Sequence, residues 1–221
     1  MSLVTLTFDN GPTAKTTPAV LEHLHARNLT AYFCVVGLQL QASNAQVDIA
    51  KETLSRDHIL VNHSFTHDTA LGDDPSLAHA RREVTEMDAL LSAEIGDWGP
   101  RWFRPFGRGG DLGQHIFSPP AVCELQSLGY SVLLWNSVPR DWVDPTGWVE
   151  TALRTINSQE HTVLVLHDLN TGAMEHLPKF LDALLEQGHT VTKELPRDCV
   201  PMMSGEKNWP DIEFDELVSS C

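Results

Sequence analysis

The feature that most constrains the fold of this chain is a regular alternation of short apolar runs with longer amphipathic segments. About seven β-branched or apolar runs recur along the chain, and a repeated strand–helix pattern of this kind is typical of a parallel sheet. The runs cover residues 4–8, 31–36, 59–61, 102–103, 131–135 and 162–166, with a last short one at Val191. We therefore predict an α/β fold, a distorted (β/α)7-type barrel of parallel strands.

The segments between the runs carry helix signals. Thr17 and Pro18 offer an N-cap followed by a proline at the first helical position. A long helix is expected from Pro75 to Gly96, with one apolar face formed by Leu77, Val84, Met87, Leu90 and Leu91. Other helices are expected over residues 44–56, 120–128 and 174–187, and after residue 146.

Length and composition limit the function classes. The 221 residues suit one large domain, which we place at residues 1–195, followed by an acidic C-terminal arm at 196–221 whose packing the sequence leaves open. A net charge of −15 without a basic stripe argues against a nucleic-acid partner or an anionic membrane surface. No apolar stretch approaches the length of a bilayer span. The oligomeric state stays open.

The N-terminus and the cysteines add two expectations. No cationic segment precedes a long hydrophobic one, so no signal peptide is visible; the location stays open, with the cytoplasm as the default expectation. Four scattered cysteines without C-x-x-C spacing favour neither a disulfide framework nor a cysteine metal site.

Polar residues follow several of the strand-like runs. A parallel α/β barrel brings such positions together at one face. The most informative are His63 and His67, because neutral imidazole is a common ligand of divalent transition metals. Alone, a His-x-x-x-His pair is more often a solvated helix face. The recurrence of polar residues at strand ends, with Asp9, Arg104, Asp141 and His167, favours a metal site instead.

Five segments, in this order, resemble the motifs of the polysaccharide deacetylase (NodB-homology) family. They are Thr7-Phe-Asp-Asn-Gly-Pro12, Asn62-His-Ser-Phe-Thr-His67, Phe103-Arg-Pro-Phe-Gly107, Asp141-Trp142 and Leu164-Val-Leu-His-Asp168. The resemblance runs from about residue 4 to residue 191, and its first two segments are the specific ones. The family fold is a distorted barrel of parallel strands, in agreement with the alternation above. Its typical chemistry is metal-dependent hydrolysis of an N- or O-acetyl group on a sugar.

The resemblance implies a metal site and a base. His63, His67 and Asn10 match the positions that hold a divalent metal, zinc in the first instance, with cobalt, manganese or nickel as alternatives. Asp9 matches the family's catalytic base, which takes a proton from the attacking water. Without the other segments, Asp9 reads equally well as a turn or capping aspartate before Gly11.

The resemblance also implies an acid and its supports. His167 matches the general acid, Asp141 the carboxylate that orients it, and Arg104 the arginine that holds the base. Ordinary surface ion pairs are the alternative for Arg104 and Asp141. Trp142 and Val165 match the walls of the pocket for the acetyl methyl group, although core packing alone would also explain the tryptophan.

The sequence departs from the family pattern at three places. Asn10 stands where the family usually has a second, metal-ligating aspartate, so weaker or altered metal binding is expected; the family's muramic-acid deacetylase branch shares the asparagine. The arginine segment is one residue short, which leaves Phe106 as the first choice for the amide offered to the oxyanion. The outer acidic positions of the Asp-Trp region are absent from residues 136–140.

The leading hypothesis is a metal-dependent hydrolase of carbon–nitrogen bonds other than peptide bonds, which removes acetyl groups from an N- or O-acetylated carbohydrate. A second hypothesis is an amide or imide hydrolase acting on a small molecule, as in other proteins with this domain. A third is a catalytically inactive homologue that binds saccharide, motivated by Asn10 and the missing outer acidic residues.

Overall fold

The computed structural model describes residues 1–220 and contains one large parallel sheet. Its strands run in the spatial order β5-β4-β3-β2-β1-β6, and β7 pairs with the first residues of β1. The bounds are Leu3–Gly11 (β1), Tyr32–Val35 (β2), Ile59–Asn62 (β3), Trp102–Phe103 (β4), Ser131–Val132 (β5), His161–His167 (β6) and Thr190–Val191 (β7). All the pairings in this sheet are parallel, which confirms the predicted α/β class.

The two outer strands of the sheet, β5 and β6, are joined by the chain that follows β5. Ser137 forms a parallel bridge with Leu164 of β6. The amide of Ser137 donates to the carbonyl of Val163 over 3.2 Å, and the amide of Val165 donates to the carbonyl of Ser137 over 2.9 Å. Because an irregular segment makes this contact, the sheet closes as the distorted barrel that was predicted.

Helices cover the sheet between successive strands. Their bounds are Thr16–His25 (α1), Gly37–Leu40 (α2), Asn44–Ser55 (α3), Leu77–Ala80 (α4), Met87–Ile95 (α5), Pro119–Ser127 (α6), Trp148–Ile156 (α7) and Leu177–Glu186 (α8). Their apolar faces and the strands share one buried core. Within residues 1–220, none of these helices has the length and apolarity needed to cross a bilayer.

The prediction that Thr17 caps α1 is wrong. The helix begins at Thr16 with Lys15 at the N-cap position, and no side-chain hydrogen bond caps it. Its hydroxyl donates to Oδ2 of Asp168 over 2.5 Å and accepts the amide hydrogen of Thr13 over 2.7 Å. The hydroxyl that was expected to cap the helix therefore binds a residue that is distant in the chain.

The predicted long helix over 75–96 differs in its start and its regularity. It begins at Leu77, where the side chain of Ser76 accepts the amide hydrogen of His79. A π-helical turn over Arg81–Glu86 separates α4 from α5. A π turn holds more residues than an α turn, so positions before and after it lose their common face. Accordingly Leu77 is 45% exposed, whereas Val84, Met87 and Leu91 are fully buried.

Residues 196–220 fold back onto the barrel. They form a 3₁₀ turn at Arg197–Cys199, an antiparallel hairpin of Met202–Met203 (β8) with Glu206–Lys207 (β9), and helix Asp211–Asp215 (α9). The main chain joins the domain where the amide of Phe117 donates to the carbonyl of Leu217 over 3.0 Å. The boundary drawn at residue 195 stays a prediction.

Candidate active site

The carboxyl ends of the parallel strands meet at one pocket of about 270 Å³. The register places Asp9 of β1 beside His167 of β6, and the histidine pair follows β3. Eight of the ten predicted site residues line this pocket: Asp9, Asn10, His63, His67, Phe106, Trp142, Val165 and His167. The other two, Arg104 and Asp141, are fully buried and contact pocket residues from behind.

Asp9 lies between the guanidinium of Arg104 and the imidazole of His63. Its Oδ2 is 3.5 Å from Nη1 of Arg104 and 3.6 Å from Nε2 of His63. Burial would raise the pKa of Asp9, but the charge of Arg104, assisted by His63 and His167, outweighs burial and lowers the pKa below its ordinary value. Asp9 is therefore an ionised carboxylate at neutral pH, as a proton acceptor must be.

Arg104 is immobilised by contacts on several sides. Its Nη2 donates to the hydroxyl of Thr7 over 3.2 Å, and its guanidinium carbon lies 5.2 Å from the ring centre of Trp135. The main-chain amide of Arg104 donates to the carbonyl of Asn62 over 2.9 Å. The buried guanidinium thus has one orientation, and it presents a fixed positive charge to Asp9.

His63 and His67 lie in a loop after β3, and their ring centres are 4.5 Å apart. Nδ1 of His63 donates to the carbonyl of Arg104 over 2.8 Å, so that its Nε2 carries the lone pair. Burial lowers the pKa of His63, and burial with the neighbouring His63 lowers the pKa of His67 to about 3. Both rings are neutral at pH 7, so the contact between His63 and Asp9 is not an ion pair.

The donor atoms in this part of the pocket fit a divalent cation. Oδ1 of Asn10 and Oδ1 of Asp9 are buried and accept no hydrogen bond within residues 1–220. Buried polar atoms are normally satisfied, and neutral imidazoles with nearby oxygen donors suit zinc or a related metal. The same described residues contain no group of three or more His, Cys, Asp and Glu side chains placed to hold a metal ion. The third predicted ligand here is the amide of Asn10, which supplies an oxygen without charge.

His167 is held by both oxygens of a buried carboxylate. Its Nδ1 donates to Oδ1 of Asp141 over 2.8 Å, and its amide donates to Oδ2 over 2.9 Å. Burial would lower the pKa of His167, but the hydrogen bond and charge of Asp141 outweigh burial and raise the pKa above its ordinary value. Because Nδ1 is engaged, Nε2 is the nitrogen available for proton transfer in the pocket.

Aromatic and aliphatic side chains form the remaining walls. The ring centre of Trp142 lies 4.6 Å from that of His167 in an edge-on arrangement, and the ring of Phe106 lies 4.3 Å from that of His67. Val165, two residues before His167 on β6, lines the same pocket. A small apolar group bound here would lie beside both the proposed acid and the histidine pair.

Part of the pocket wall was not predicted from the sequence. Residues 107–110, Val138 and Leu169 line the pocket, together with Trp135, whose Nε1 donates to the carbonyl of Gly110 over 2.8 Å. A Cβ atom on Gly107 would lie 2.2 Å from the Trp135 ring, so the loop needs glycine there. The three glycines within four residues at 107–110 were the available signal for this close packing.

Asp168 ends the fifth motif, and the sequence predicts no role for it. It is buried directly after His167, and burial raises its pKa to about 6 despite the hydrogen bond from Thr17. A Cβ atom on Gly11 would lie 2.2 Å from its Oδ2. Asp168 therefore packs against the main chain that follows Asp9 and Asn10.

Comparison with known proteins shows the family of the chain. The family model described as "Polysaccharide deacetylase" matches residues 2–130, more than half of the chain. A peptidoglycan-N-acetylglucosamine deacetylase from Bacillus cereus is 28% identical over 195 residues, which cover 85% of this chain and 84% of that protein. The chain belongs to the polysaccharide deacetylase family, as its motifs predicted.

Two solved structures share the fold. A family 4 acetyl xylan esterase from Clostridium thermocellum in complex with a cobalt ion has a TM-score of 0.69 at 22% identity, covering 86% of this chain and 87% of that one. A CE4 family pseudoenzyme from Bacillus anthracis has a TM-score of 0.70 at 20% identity, covering 86% and 63%. At these identities the likeness establishes the fold and leaves activity to be argued from the site.

Proposed function

We propose that this chain is a metal-dependent hydrolase that removes an acetyl group from an N- or O-acetylated carbohydrate. The observation that carries the proposal is the placement of two proton-transfer groups in one pocket. An ionised Asp9 and an Asp141-backed His167 both face a cavity that also contains a neutral histidine pair. Hydrolysis of an acetyl group needs these parts: a base for the water, an acid for the leaving group and stabilisation of the carbonyl oxygen.

Asp9 serves as the base in this proposal. The charge of Arg104 keeps its carboxylate ionised, and this carboxylate, which lines the pocket, would take a proton from the attacking water. His63, His67 and Asn10 would hold the divalent cation, zinc or one of cobalt, manganese and nickel. When bound, the cation supplies Lewis-acid polarisation of the acetyl carbonyl and of water.

His167 serves as the acid. Its raised pKa keeps a larger fraction protonated near neutral pH, and Nε2 would pass a proton to the nitrogen or oxygen of the departing sugar. Asp141 holds the ring in the orientation required and stabilises the imidazolium. Trp142, Val165 and Phe106 would receive the acetyl methyl, and the amide of Phe106 is the first choice for a donor to the carbonyl oxygen.

The test is acetate release from N-acetylglucosamine oligomers and from acetylxylan, with Zn²⁺, Co²⁺, Mn²⁺ or Ni²⁺ added to metal-free protein. We expect turnover that depends on the metal and falls by about 10²- to 10⁴-fold in Asp9→Asn, the usual contribution of a general base. Lys51→Gln on the exposed side of α3 is the matched control and should keep full activity. A metal-loaded protein inactive on both kinds of substrate would refute the proposal.

An inactive saccharide-binding homologue remains the second candidate, and Asn10 is the observation that favours it. The amide brings no charge to the proposed metal site, and one fold neighbour is described as a pseudoenzyme. Saccharide binding without turnover, followed by turnover in Asn10→Asp, would support this candidate. Turnover in the natural sequence would exclude it.

A further inference from the structure

A buried carboxylate outside the pocket is bonded to the loop that carries both histidines. This loop consists of residues 63–67 and follows β3. The carboxylate belongs to Glu83, which lies in the π turn between α4 and α5 and is 1% exposed. None of the chemistry proposed above uses Glu83, and no Lys, Arg or His within residues 1–220 forms an ion pair with it.

Both oxygens of Glu83 bind the same loop residue. Oε2 accepts the amide hydrogen of Thr66 over 2.8 Å, and Oε1 accepts its hydroxyl hydrogen over 2.8 Å. Thr66 directly precedes His67, whose φ of 59° is a left-handed conformation that costs a non-glycine residue free energy. The two hydrogen bonds therefore act on the main chain at the point where the second histidine is turned into the pocket.

The next residue of the π turn anchors the other end of the same loop. Nδ2 of Asn62 donates to the carbonyl of Val84 over 3.2 Å. Oδ1 of Asn62 accepts the amide hydrogen of Ser64 over 3.0 Å, and Ser64 has a φ of 68°. Contacts from Glu83 and Val84 thus hold the chain on both sides of the histidine pair.

We propose that Glu83 is a positioning residue, which sets the separation and orientation of His63 and His67 for binding a divalent cation. The inference rests on the proposed function, since it assumes that these histidines are ligands. Burying a carboxylate without a cation is unfavourable unless hydrogen bonds compensate, and here both oxygens are committed to Thr66. Loss of the carboxylate would leave the buried Thr66 amide without its acceptor, and the loop would have to move to satisfy it. π turns occur frequently at functional sites.

The test is the affinity of the metal-free protein for Zn²⁺ and for Co²⁺, measured by competition with a chelator, together with the Co²⁺ absorption spectrum. In Glu83→Ala we expect affinity to fall about 10- to 100-fold, the usual effect of losing an outer partner of a ligand, and the Co²⁺ bands to change. Glu83→Gln retains an acceptor for the Thr66 amide and should keep most of the affinity. Thr66→Val removes one of the two bonds and should lie in between, which preserves the test if Glu83→Ala does not fold.

Two controls separate positioning from general damage. Glu86→Ala changes an exposed acid in the same π turn and should bind metal like the natural sequence. Leu184→Ala opens a cavity under α8, which lines no part of the pocket, and should lower stability without weakening metal binding. Equal affinity in Glu83→Ala and the natural sequence would overturn the inference, as would an equal loss in Leu184→Ala. Failure of the natural sequence itself to bind either metal would instead refute the proposed metal dependence.

Discussion

Asn10 is the last residue but one of β1 and has a φ of 76°, a conformation that asparagine and aspartate adopt more readily than other side chains do. Aspartate can therefore replace it without a new main-chain penalty. We predict that Asn10→Asp tightens binding of Zn²⁺ by about tenfold or more, or about 1.4 kcal/mol, because a carboxylate adds a negative charge to the ligand set. Calorimetry on metal-free protein measures the change. The control, Asn44→Asp, adds the same charge at an exposed position, and an affinity equal to that of Asn10→Asp would show that residue 10 does not contact the ion.

The pair of His167 and Asp141 predicts a pH dependence. The proposed acid must be protonated, and the carboxylate of Asp141 raises its pKa, so activity should fall as pH rises through that pKa. Asp141→Asn removes the charge and keeps a polar partner, so the alkaline limb of the rate profile should move to lower pH. The acidic limb, set by the lowered pKa of Asp9, should stay below the ordinary range of aspartate. A profile of kcat/KM against pH for both proteins tests this, and an unmoved alkaline limb in Asp141→Asn would contradict it.

At the level of single residues, the sequence located the pocket because parallel strands all end at one face. Asp9 and His167 are register partners on neighbouring strands although 158 positions separate them in the chain. Trp135 and Asp168 could not be assigned in the same way. Trp135 reads as a strand residue, and its contacts with Arg104 and Gly110 depend on where a remote loop lies.

Gly11 marks the junction of three elements: it ends β1, Asp168 follows β6, and Thr17 belongs to α1. The buried carboxylate of Asp168 occupies the space in which a Cβ atom on Gly11 would lie. We predict that Gly11→Ala lowers the free energy of unfolding by about 1–3 kcal/mol, the usual effect of overpacking a buried site. Urea denaturation measures the loss. Gly113→Ala is the control, because its Cβ would meet its nearest neighbour at an ordinary 3.6 Å; equal stability of the two variants would contradict the prediction.

At the level of elements, apolar runs predicted the strands well. The strands of a parallel sheet are covered on both faces, so they are apolar along almost their whole length. The interruption of a helix was harder to predict from the sequence. A π turn contains one residue more than an α-helical turn. The predicted apolar face assumes an uninterrupted α-helix, and for this reason it wrongly includes the exposed Leu77. The hydrogen bonds of this turn join Glu83 to Thr66 and Val84 to Asn62. Both partners lie outside residues 77–95, so the helix propensity of that segment does not predict them.

At the level of the whole molecule, the C-terminal segment completes the core. Cys199, Met202 and Leu217 are buried with the barrel residues, although the acidic composition of 196–221 resembles that of a solvated arm. The segment has no helical or strand period long enough to indicate an apolar face. Its position is set by non-local pairing, such as the amide of Leu134 donating to the carbonyl of Cys199 over 2.8 Å. A sequence pattern can indicate an apolar face only where apolar residues recur at a regular spacing. This segment buries isolated side chains, so its packing was not predicted.

Phe214 provides the test of that view. It is 1% exposed in α9, and its ring stacks on Phe117 with a centroid separation of 6.2 Å. Ile212, two residues earlier in the same short helix, is 80% exposed. If residues 196–220 belong to the cooperative core, Phe214→Ala should lower the free energy of unfolding by about 3–5 kcal/mol, whereas the matched Ile212→Ala should change it by less than about 0.5 kcal/mol. Urea denaturation followed by tryptophan fluorescence compares the two. A Phe214→Ala protein as stable as Ile212→Ala would mean that the barrel folds without its C-terminal segment, which would then be an accessory layer on a self-sufficient domain.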